Sequence, residues 1–183
     1  MLTLTQELHD QITANLNKVD WTYLCEFYEL PEEFIATWQD YVDWSSVSAK
    51  QRLTETFIHR YQDRVNWNYI SYYQQFSEDF VSEHAVLVDW ARICSRPLSE
   101  AFLYQHHDRL DWRVISWAQK LPEDFICQYE DLLDWTYISR YQKLSPEFIL
   151  SHLTRLNLND IKLRYPVTYE HYRLEICRCL SDE

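Results

Sequence analysis

Residues 110–116 spell LDWRVIS, a cap-forming aspartate followed by a tryptophan and, three residues after the tryptophan, an aliphatic side chain. The same phrase occurs six more times along the 183-residue chain, with a leucine in the tryptophan slot of the last copy. Successive copies lie 23, 23, 23, 22, 23 and 23 residues apart, measured between Trp21, Trp44, Trp67, Trp90, Trp112, Trp135 and Leu158. A fixed period of this length predicts a tandem array of seven structural units.

The first half of each unit carries the signals of a short helix. A phenylalanine recurs ten residues before the tryptophan slot: Phe34, Phe57, Phe80, Phe102, Phe125 and Phe148. In the degenerate first unit, Gln11 occupies this position, but the next residue, Ile12, still matches Ile35. Apolar residues follow at +1, +4 and +8, which is a helical period. Natural N-caps precede these segments, namely Thr54, Ser77, Ser99 and Ser145, and Pro146 suits the first helical position.

The second half of each unit predicts another helix, which starts at the tryptophan. An aspartate or asparagine always stands before the tryptophan slot, and these are the residue types that cap helix N-termini: Asp20, Asp43, Asn66, Asp89, Asp111, Asp134 and Asn157. The residue before each cap is Val or Leu and the fourth helical residue is aliphatic, as in Leu110 and Ile115. This pair forms a hydrophobic staple that fixes the angle between the two helices.

These patterns predict an all-α fold, an α-solenoid of about seven two-helix repeats. A two-helix layer is too small to bury its own apolar face, so the layers must stack, and we expect each tryptophan to act as a wedge between neighbours. The chain is predicted to form one domain over residues 1–183, with an N-terminal cap over 1–18, repeats over 19–165 and a C-terminal capping helix over 166–183. End-to-end dimerisation through either terminal layer stays open.

Composition narrows the function classes. Glycine is absent, which excludes glycine-rich phosphate loops and dinucleotide fingerprints. The formal charge of −12 predicts repulsion from nucleic acids and anionic membranes and attraction to basic partners. The N-terminus lacks the pattern of a secretion signal, and Cys25 and Cys94 occupy slots filled elsewhere by serine. We therefore expect a cytoplasmic protein with cysteines that are small buried side chains.

The repeat also supports a resemblance. Units of the form LSEDFIxxYxDxLDWxxISxxQ resemble the short tandem α-helical repeats of functionally uncharacterised proteins of large DNA viruses and bacteriophages. The resemblance covers roughly residues 8–165. It implies a viral protein that binds a component of its host, acting in the host cytoplasm, and it carries no catalytic residues.

Three groups of residues are candidates for metal or catalytic sites. The residues four positions after the recurring phenylalanines form an aromatic and imidazole column: Trp38, Tyr61, His84, His106, Tyr129 and His152. The histidines of this column could hold a metal or act as a pH switch. Packing in the core is the favoured interpretation. His106 with His107, and Cys177 with Cys179, lack the paired spacing of a strong zinc site. The sequence therefore predicts no enzyme, no catalytic, cofactor-binding or metal residues, and no cofactor.

Two groups of residues are candidates for partner binding. Large aromatics occupy slots that vary between units, and Tyr and Trp are the residue types that dominate interface hot spots: Tyr72, Tyr73, Trp117 and Tyr141. Extra core packing is the equally supported alternative for them. Glutamates recur at the starts of the first helices: Glu55, Glu78, Glu100 and Glu123, in line with Glu32. They either bind a partner or stabilise the helices by interacting with the helix dipole.

The function expected from the sequence is a non-enzymatic protein–protein interaction module that presents an acidic and aromatic surface to a host protein. The alternative is an acidic inhibitor that imitates nucleic acid and blocks a nucleic-acid-binding host or defence protein. Over about seven layers of about 10 Å each, the net charge amounts to roughly one per 6 Å, against one per about 1.7 Å of duplex DNA. An inhibitor of this type would need its bases, such as Arg52, Arg60, Arg92 and Arg113, on a face away from the acids.

Overall fold

The structure is a computed structural model, and it describes residues 1–171. The fold is an all-α tandem-repeat solenoid, as the sequence predicts, with fifteen α-helices in the described part of the chain. The first helices of the layers are α3 (Glu32–Thr37), α5 (Glu55–Arg60), α7 (Glu78–Glu83), α9 (Glu100–Gln105), α11 (Glu123–Gln128) and α13 (Pro146–Ser151). The second helices are α2 (Trp21–Phe27), α4 (Trp44–Lys50), α6 (Trp67–Tyr73), α8 (Trp90–Cys94), α10 (Trp112–Ala118), α12 (Trp135–Tyr141) and α14 (Leu158–Arg164).

Apart from Asp89, which stays a prediction, the predicted caps are confirmed by their hydrogen bonds. The side chains of Thr54, Ser77, Ser99 and Ser145 each accept from the backbone N–H three residues on. The side chains before the second helices do the same at Asp20, Asp43, Asn66, Asp111, Asp134 and Asn157. The first helices are shorter than the apolar pattern predicts. Each ends three residues after its phenylalanine, and the fourth residue after the phenylalanine is already the C-cap. The apolar residue at +8 instead belongs to the turn, where it forms the staple.

The ends of the described chain differ from the regular layers. Helix α1 (Gln6–Ala14) and a 3₁₀ turn (Leu16–Lys18) form the N-terminal cap, and Ile12 is buried like Ile35. Two short parallel strands, β1 (Leu2–Thr3) and β2 (Tyr28–Glu29), pair with each other and connect this cap to the segment that follows α2. The sequence did not predict these strands. Helix α15 (Pro166–His171) begins the predicted C-terminal helix, and the remainder of that prediction, with Cys177 and Cys179, lies outside the described residues.

The tryptophans are wedges between layers, as predicted. The ring of Trp67 stacks on Phe80 and His84 of the next first helix, at centroid distances of 6.2 and 5.2 Å. Its indole N–H donates to the carbonyl of Gln62, in the turn of its own layer, at 2.9 Å. Trp44 and Trp135 make the same bond to their own turns. One ring thus anchors to one layer and packs on the next.

Buried glutamines join the layers by hydrogen bonds. We call Gln51, Gln74, Gln119 and Gln142 the glutamine clamps. In the clamp at Gln142, the amide NH₂ donates to the carbonyls of Ser116 and Gln119 at 2.9 and 2.8 Å, and the amide oxygen accepts from the N–H of Leu121 at 3.0 Å. Each clamp therefore satisfies the backbone at the end of the preceding second helix, which would otherwise be buried without partners.

A small side chain in the middle of each second helix makes the next bond between layers. The hydroxyl of Ser48 accepts from the N–H of Asn66, and the hydroxyl of Ser116 accepts from the N–H of Asp134, both at 2.9 Å. Cys94 fills this slot with its thiol, which accepts from the N–H of Asp111 at 3.3 Å. Cys25 and Cys94 are both fully buried, so the expectation that they are small packed side chains is confirmed.

The chain divides into two compact units, Met1–Asp89 and a second that starts at Trp90. Each has its own apolar core; in the first it contains Ile35, Val47, Ile58 and Ile70, and in the second Ile115, Phe125, Ile126 and Ile138. The expectation of a single domain stays a prediction. Over residues 1–171, no helix is long and apolar enough to cross a bilayer.

Candidate functional site

The predicted aromatic residues are exposed. In the first unit, Tyr72 and Tyr73 are 52% and 53% exposed, and in the second unit Trp117 and Tyr141 are 45% and 52% exposed. Their alternative role in the core is therefore wrong, because core residues of this chain, such as Phe125, are almost fully buried. A binding role for these side chains stays a prediction.

A tyrosine cluster forms on the outer side of α6. Tyr69, Tyr72 and Tyr73 lie together, with ring centroids 6.1 Å apart for Tyr69 and Tyr73 and 4.6 Å apart for Tyr72 and Tyr73. Residues four apart share one face of a helix, so Tyr69 and Tyr73 point the same way. Rings that already pack on each other lose little side-chain freedom when a partner covers them.

Tyr69 was not predicted as a binding residue, and neither were Tyr23, Phe27 and Tyr137, which complete two similar pairs. Tyr23 and Phe27 on α2 have ring centroids 4.7 Å apart, and Tyr137 and Tyr141 on α12 have centroids 6.0 Å apart. All three pairs occupy the second and sixth residues after the tryptophan, so the four-residue spacing of aromatics was the signal that could have found them. Tyr23 and Phe27 are about half exposed, like the tyrosine cluster.

The column of glutamates has a structural use within each unit. Glu55 accepts from the N–H of Ser77 at 2.5 Å, and Glu32 accepts from the N–H and the hydroxyl of Thr54 at 2.6 and 3.1 Å. In the second unit, Glu123 accepts from the N–H and the hydroxyl of Ser145 at 2.5 and 2.9 Å. The glutamate at the start of one first helix thus holds the N-cap residue of the next.

Of the two other predicted glutamates, Glu100 differs from this pattern. Glu100 is exposed, and because the corresponding cap of the next layer is Pro122, which has no N–H, the same bond cannot form there. Glu78 is partly buried. Partner binding by Glu55, Glu78, Glu100 and Glu123 stays a prediction. A charge reversal at Glu55 or Glu123 would also break an inter-layer hydrogen bond, so a loss of binding could result from a loss of stability.

Basic side chains sit among the acids. Arg64 pairs with Asp40 at 2.8 Å in the first unit, and in the second unit Arg155 pairs with Asp131 at 2.8 Å. Arg140 pairs with Asp160 at 3.3 Å, and this ion pair raises the pKa of the Arg140 guanidinium. Exposed pairs of this kind add little stability, but they dilute the negative field at those points.

The aromatic and imidazole column belongs to the core, as favoured from the sequence. Every member packs on the preceding tryptophan with centroids 5.0 to 6.0 Å apart: Trp38, Tyr61, His84, His106, Tyr129 and His152. Burial lowers the pKa of His106, against the opposing effect of Asp108. His84 also takes part in a group of potential metal ligands with His59 and Glu83, which the sequence argument missed because His59 lies outside the column.

The thiols of Cys25 and Cys127 are poor nucleophiles. Burial raises the pKa of Cys25 to about 11, so its thiol stays protonated at neutral pH. Burial and the acids Asp124, Glu130 and Glu123 also raise the pKa of Cys127, which is exposed. Reactive cysteines require a lowered pKa, so neither thiol is suited to catalysis.

Grooves lie beside the terminal layer and between layers of the first unit. One of them, of about 450 Å³, lies between α1 and α2 and is lined chiefly by Leu8, Ile12, Val19, Tyr23, Leu24 and Tyr28. Its polar residues, Gln11, Asn15, Lys18 and Asp20, do not form a nucleophile and base pair of the kind that catalysis needs. The expectation that the chain is not an enzyme stays a prediction.

The chain was compared with protein-family models, with curated proteins and with solved structures, and none of them matches it.

Proposed function

We propose that this protein is a non-enzymatic protein–protein interaction module, in which the tyrosine cluster on α6 binds a partner protein with a basic surface. The observation that carries the proposal is the exposure of Tyr69, Tyr72 and Tyr73, three contacting rings that the stack of layers does not need for its own core. Exposed aromatic groups of this size are uncommon on surfaces without partners.

The net charge of −12 supports a basic partner. Opposite charge steers diffusional encounter, and tyrosine faces attract guanidinium and ammonium groups. The chain already shows this contact, since the Arg113 guanidinium lies 5.7 Å from the ring centroid of Tyr137 in the second unit. The resemblance to viral repeat proteins makes a host protein in the host cytoplasm the expected partner.

The alternative, an acidic inhibitor of a nucleic-acid-binding protein, is supported by the same charge. Two observations weigh against it. Arg64 and Arg155 pair with acids on the surface, so bases and acids are mixed at those places. Glu32, Glu55 and Glu123 direct their carboxylates to neighbouring layers.

The test starts with selection of partners from a displayed library of peptides, followed by affinity measurements on purified variants. Tyr72→Ser with Tyr73→Ser removes two exposed rings, and Val86→Ser is the matched control, because Val86 is 80% exposed and lies outside the cluster. We expect basic peptides to be enriched, and the double variant to lose at least about tenfold in affinity, a hot-spot-sized effect, while the control binds like the natural chain.

A second arm separates the two candidate functions. Glu33, Asp79, Asp124 and Glu147 are exposed, and changing them to Gln or Asn lowers the negative charge without touching the inter-layer glutamates. Binding that survives this change but not the tyrosine change supports the interaction module. Binding that depends on these acids, weakens steeply with salt and is displaced by duplex DNA would replace it with the inhibitor. Equal binding by all variants would overturn the proposal.

A further inference from the structure

Three potential metal ligands meet between two successive layers of the first unit. His59 lies on α5, Glu83 is the last residue of α7, and His84 follows it. Nδ1 of His59 lies 3.2 Å from Nε2 of His84 and 3.4 Å from a carboxylate oxygen of Glu83. All three ligand atoms lie within 4.8 Å of one another.

The imidazole of His84 is prepared to be a ligand. Its Nδ1 lies 3.0 Å from the carbonyl oxygen of Phe80, and because a carbonyl only accepts, Nδ1 must carry the hydrogen. The lone pair is therefore on Nε2, the atom that faces His59. At metal centres, a hydrogen bond donated by the ring nitrogen that does not bind the metal orients the histidine ligand in the same way. Stacking on Trp67 and Phe80 holds the ring, which is 2% exposed.

The two separations measured from Nδ1 of His59 are those that a tetrahedral ion would span. Zinc bonds to histidine nitrogen measure about 2.0–2.1 Å, so two nitrogens at a tetrahedral angle are separated by about 3.3 Å. The observed separations of 3.2 and 3.4 Å agree with this value. A hydrogen bond from His59 to its two neighbours gives similar distances, and titration with zinc distinguishes the two arrangements.

The surroundings of this site are acidic, which favours a cation, and the site is open to solvent. The side chains of His59 and Glu83 are 52% and 60% exposed. A groove of about 410 Å³ runs beside them, and Glu55 and Asp79 also line it. Acidic walls concentrate cations, and solvent access provides a fourth coordination position for water or for a ligand atom from another molecule.

We propose that His59, Glu83 and His84 bind one divalent transition-metal ion of the zinc class. Nδ1 of His59, Nε2 of His84 and a carboxylate oxygen of Glu83 are the protein ligands. Two imidazoles and a carboxylate suit zinc and its neighbours better than calcium or magnesium, which prefer oxygen ligands. Because the ligands come from two layers, the ion also crosslinks α5 to α7. This site does not depend on the proposed protein–protein interaction.

The second unit contains a related pair that serves as an internal comparison. Sγ of Cys127 lies 4.0 Å from Nε2 of His152, and Nδ1 of His152 lies 3.0 Å from the carbonyl of Phe148. Glu130 approaches the same imidazole at 3.9 Å. The separations are longer than in the first unit. A cysteine ligand would also give the bound ion a spectroscopic signature that the His59 site lacks.

The experiment titrates the chelator-stripped, reduced full chain with Zn²⁺ against a chromophoric competitor, and with Co²⁺ in a visible and near-ultraviolet spectrum. The variants are His59→Ala and His84→Tyr, whose new residues occur at the same slots in other layers as Ala36 and Tyr61. Glu83→Gln removes the carboxylate with little change of shape. Cys127→Ala is the control, and circular dichroism checks that each variant is folded.

We expect one ion per chain at this site, with affinity at least about tenfold lower in His59→Ala and His84→Tyr and unchanged in Cys127→Ala. The cobalt form should show ligand-field bands that persist in Cys127→Ala. Zinc should raise the unfolding temperature of the natural chain but not of folded His84→Tyr. Absence of tight binding, binding equal in all folded variants, or a spectrum dominated by thiolate-to-cobalt charge transfer would overturn the proposal.

Discussion

At the scale of single residues, the glutamine clamps are the most consequential side chains outside the apolar core. Gln142 is 2% exposed and makes three hydrogen bonds to the backbone of the preceding layer. A single amide side chain can do this because it offers both donors and an acceptor. The final layer supports this role, since Tyr165 replaces the glutamine there, with its hydroxyl accepting from the N–H of Leu144 and donating to the carbonyl of Gln142.

We predict that Gln142→Met destabilises the chain by about 3 kcal/mol, because methionine fills the space but leaves buried backbone groups without partners. Urea unfolding followed by circular dichroism measures the change. Gln75→Met is the matched control, since Gln75 is exposed, and it should stay within about 0.5 kcal/mol of the natural chain. A loss below about 1 kcal/mol for Gln142→Met would show that water or relaxation replaces the clamp.

His106 makes stability depend on pH. Burial lowers its pKa in the folded chain below the ordinary value of 6.5, while the nearby Asp108 and Arg109 act in opposite directions. The unfolded chain therefore binds a proton first as the pH falls below 6.5. This contribution to stability is complete above pH 6.5 and is lost as the pH falls through the lowered pKa.

We predict that His106→Tyr flattens the acid side of the stability profile, because Tyr61 and Tyr129 fill the same slot in other layers without a comparable charge change. Chemical denaturation at a series of pH values from about 7.5 to 5 is the measurement. The comparison is the difference between the two chains at each pH, so other titrating groups cancel. Parallel profiles would mean that protonation of His106 is not linked to unfolding.

At the scale of helices, the column of glutamates joins the start of one first helix to the cap of the next. Glu123 accepts two bonds from Ser145, whereas Glu100 faces a layer whose cap residue is Pro122. The chain thus contains one glutamate with this bond and one without it, in the same slot of the same repeat.

We predict that Glu123→Ala costs about 1–2 kcal/mol of stability and that Glu100→Ala costs less than about 0.5 kcal/mol. Both substitutions remove one negative charge near a helix N-terminus, so their difference isolates the bonds to Ser145. Thermal unfolding of the two purified variants is sufficient. Equal losses would assign the glutamates to the helix dipole alone.

How far the sequence determined these elements depends on the kind of signal. The caps at Asp20 and Ser77 and the wedge at Trp67 were predictable, because each rests on residue types at local spacings. The use of Glu123 and Gln142 was not, since their partners lie 21 to 26 residues away and nothing in a repeat tells which neighbouring layer a polar side chain faces. His59 was missed for the same reason.

At the scale of the whole molecule, the open question is how far cooperativity extends. The two compact units have separate cores, one around Ile35 and Ile58 and the other around Phe125 and Ile126. Repeat proteins gain stability from the layers themselves and from nearest-neighbour contacts, so a local defect weakens nearby layers most. A single globular domain would instead spread the loss over all its residues.

We predict that Ile35→Ala and Ile126→Ala each cost about 2–5 kcal/mol, since both side chains are fully buried, and that each loss concentrates in its own unit. Amide hydrogen exchange read by mass spectrometry of peptides measures this. Ile35→Ala should accelerate exchange in peptides from residues 1–89 far more than in those from 90–171, and Ile126→Ala should do the reverse. The two variants serve as each other's control, because they remove the same atoms from the same repeat position. Equal acceleration throughout the chain, in both variants, would show instead that the predicted single domain unfolds as one cooperative body.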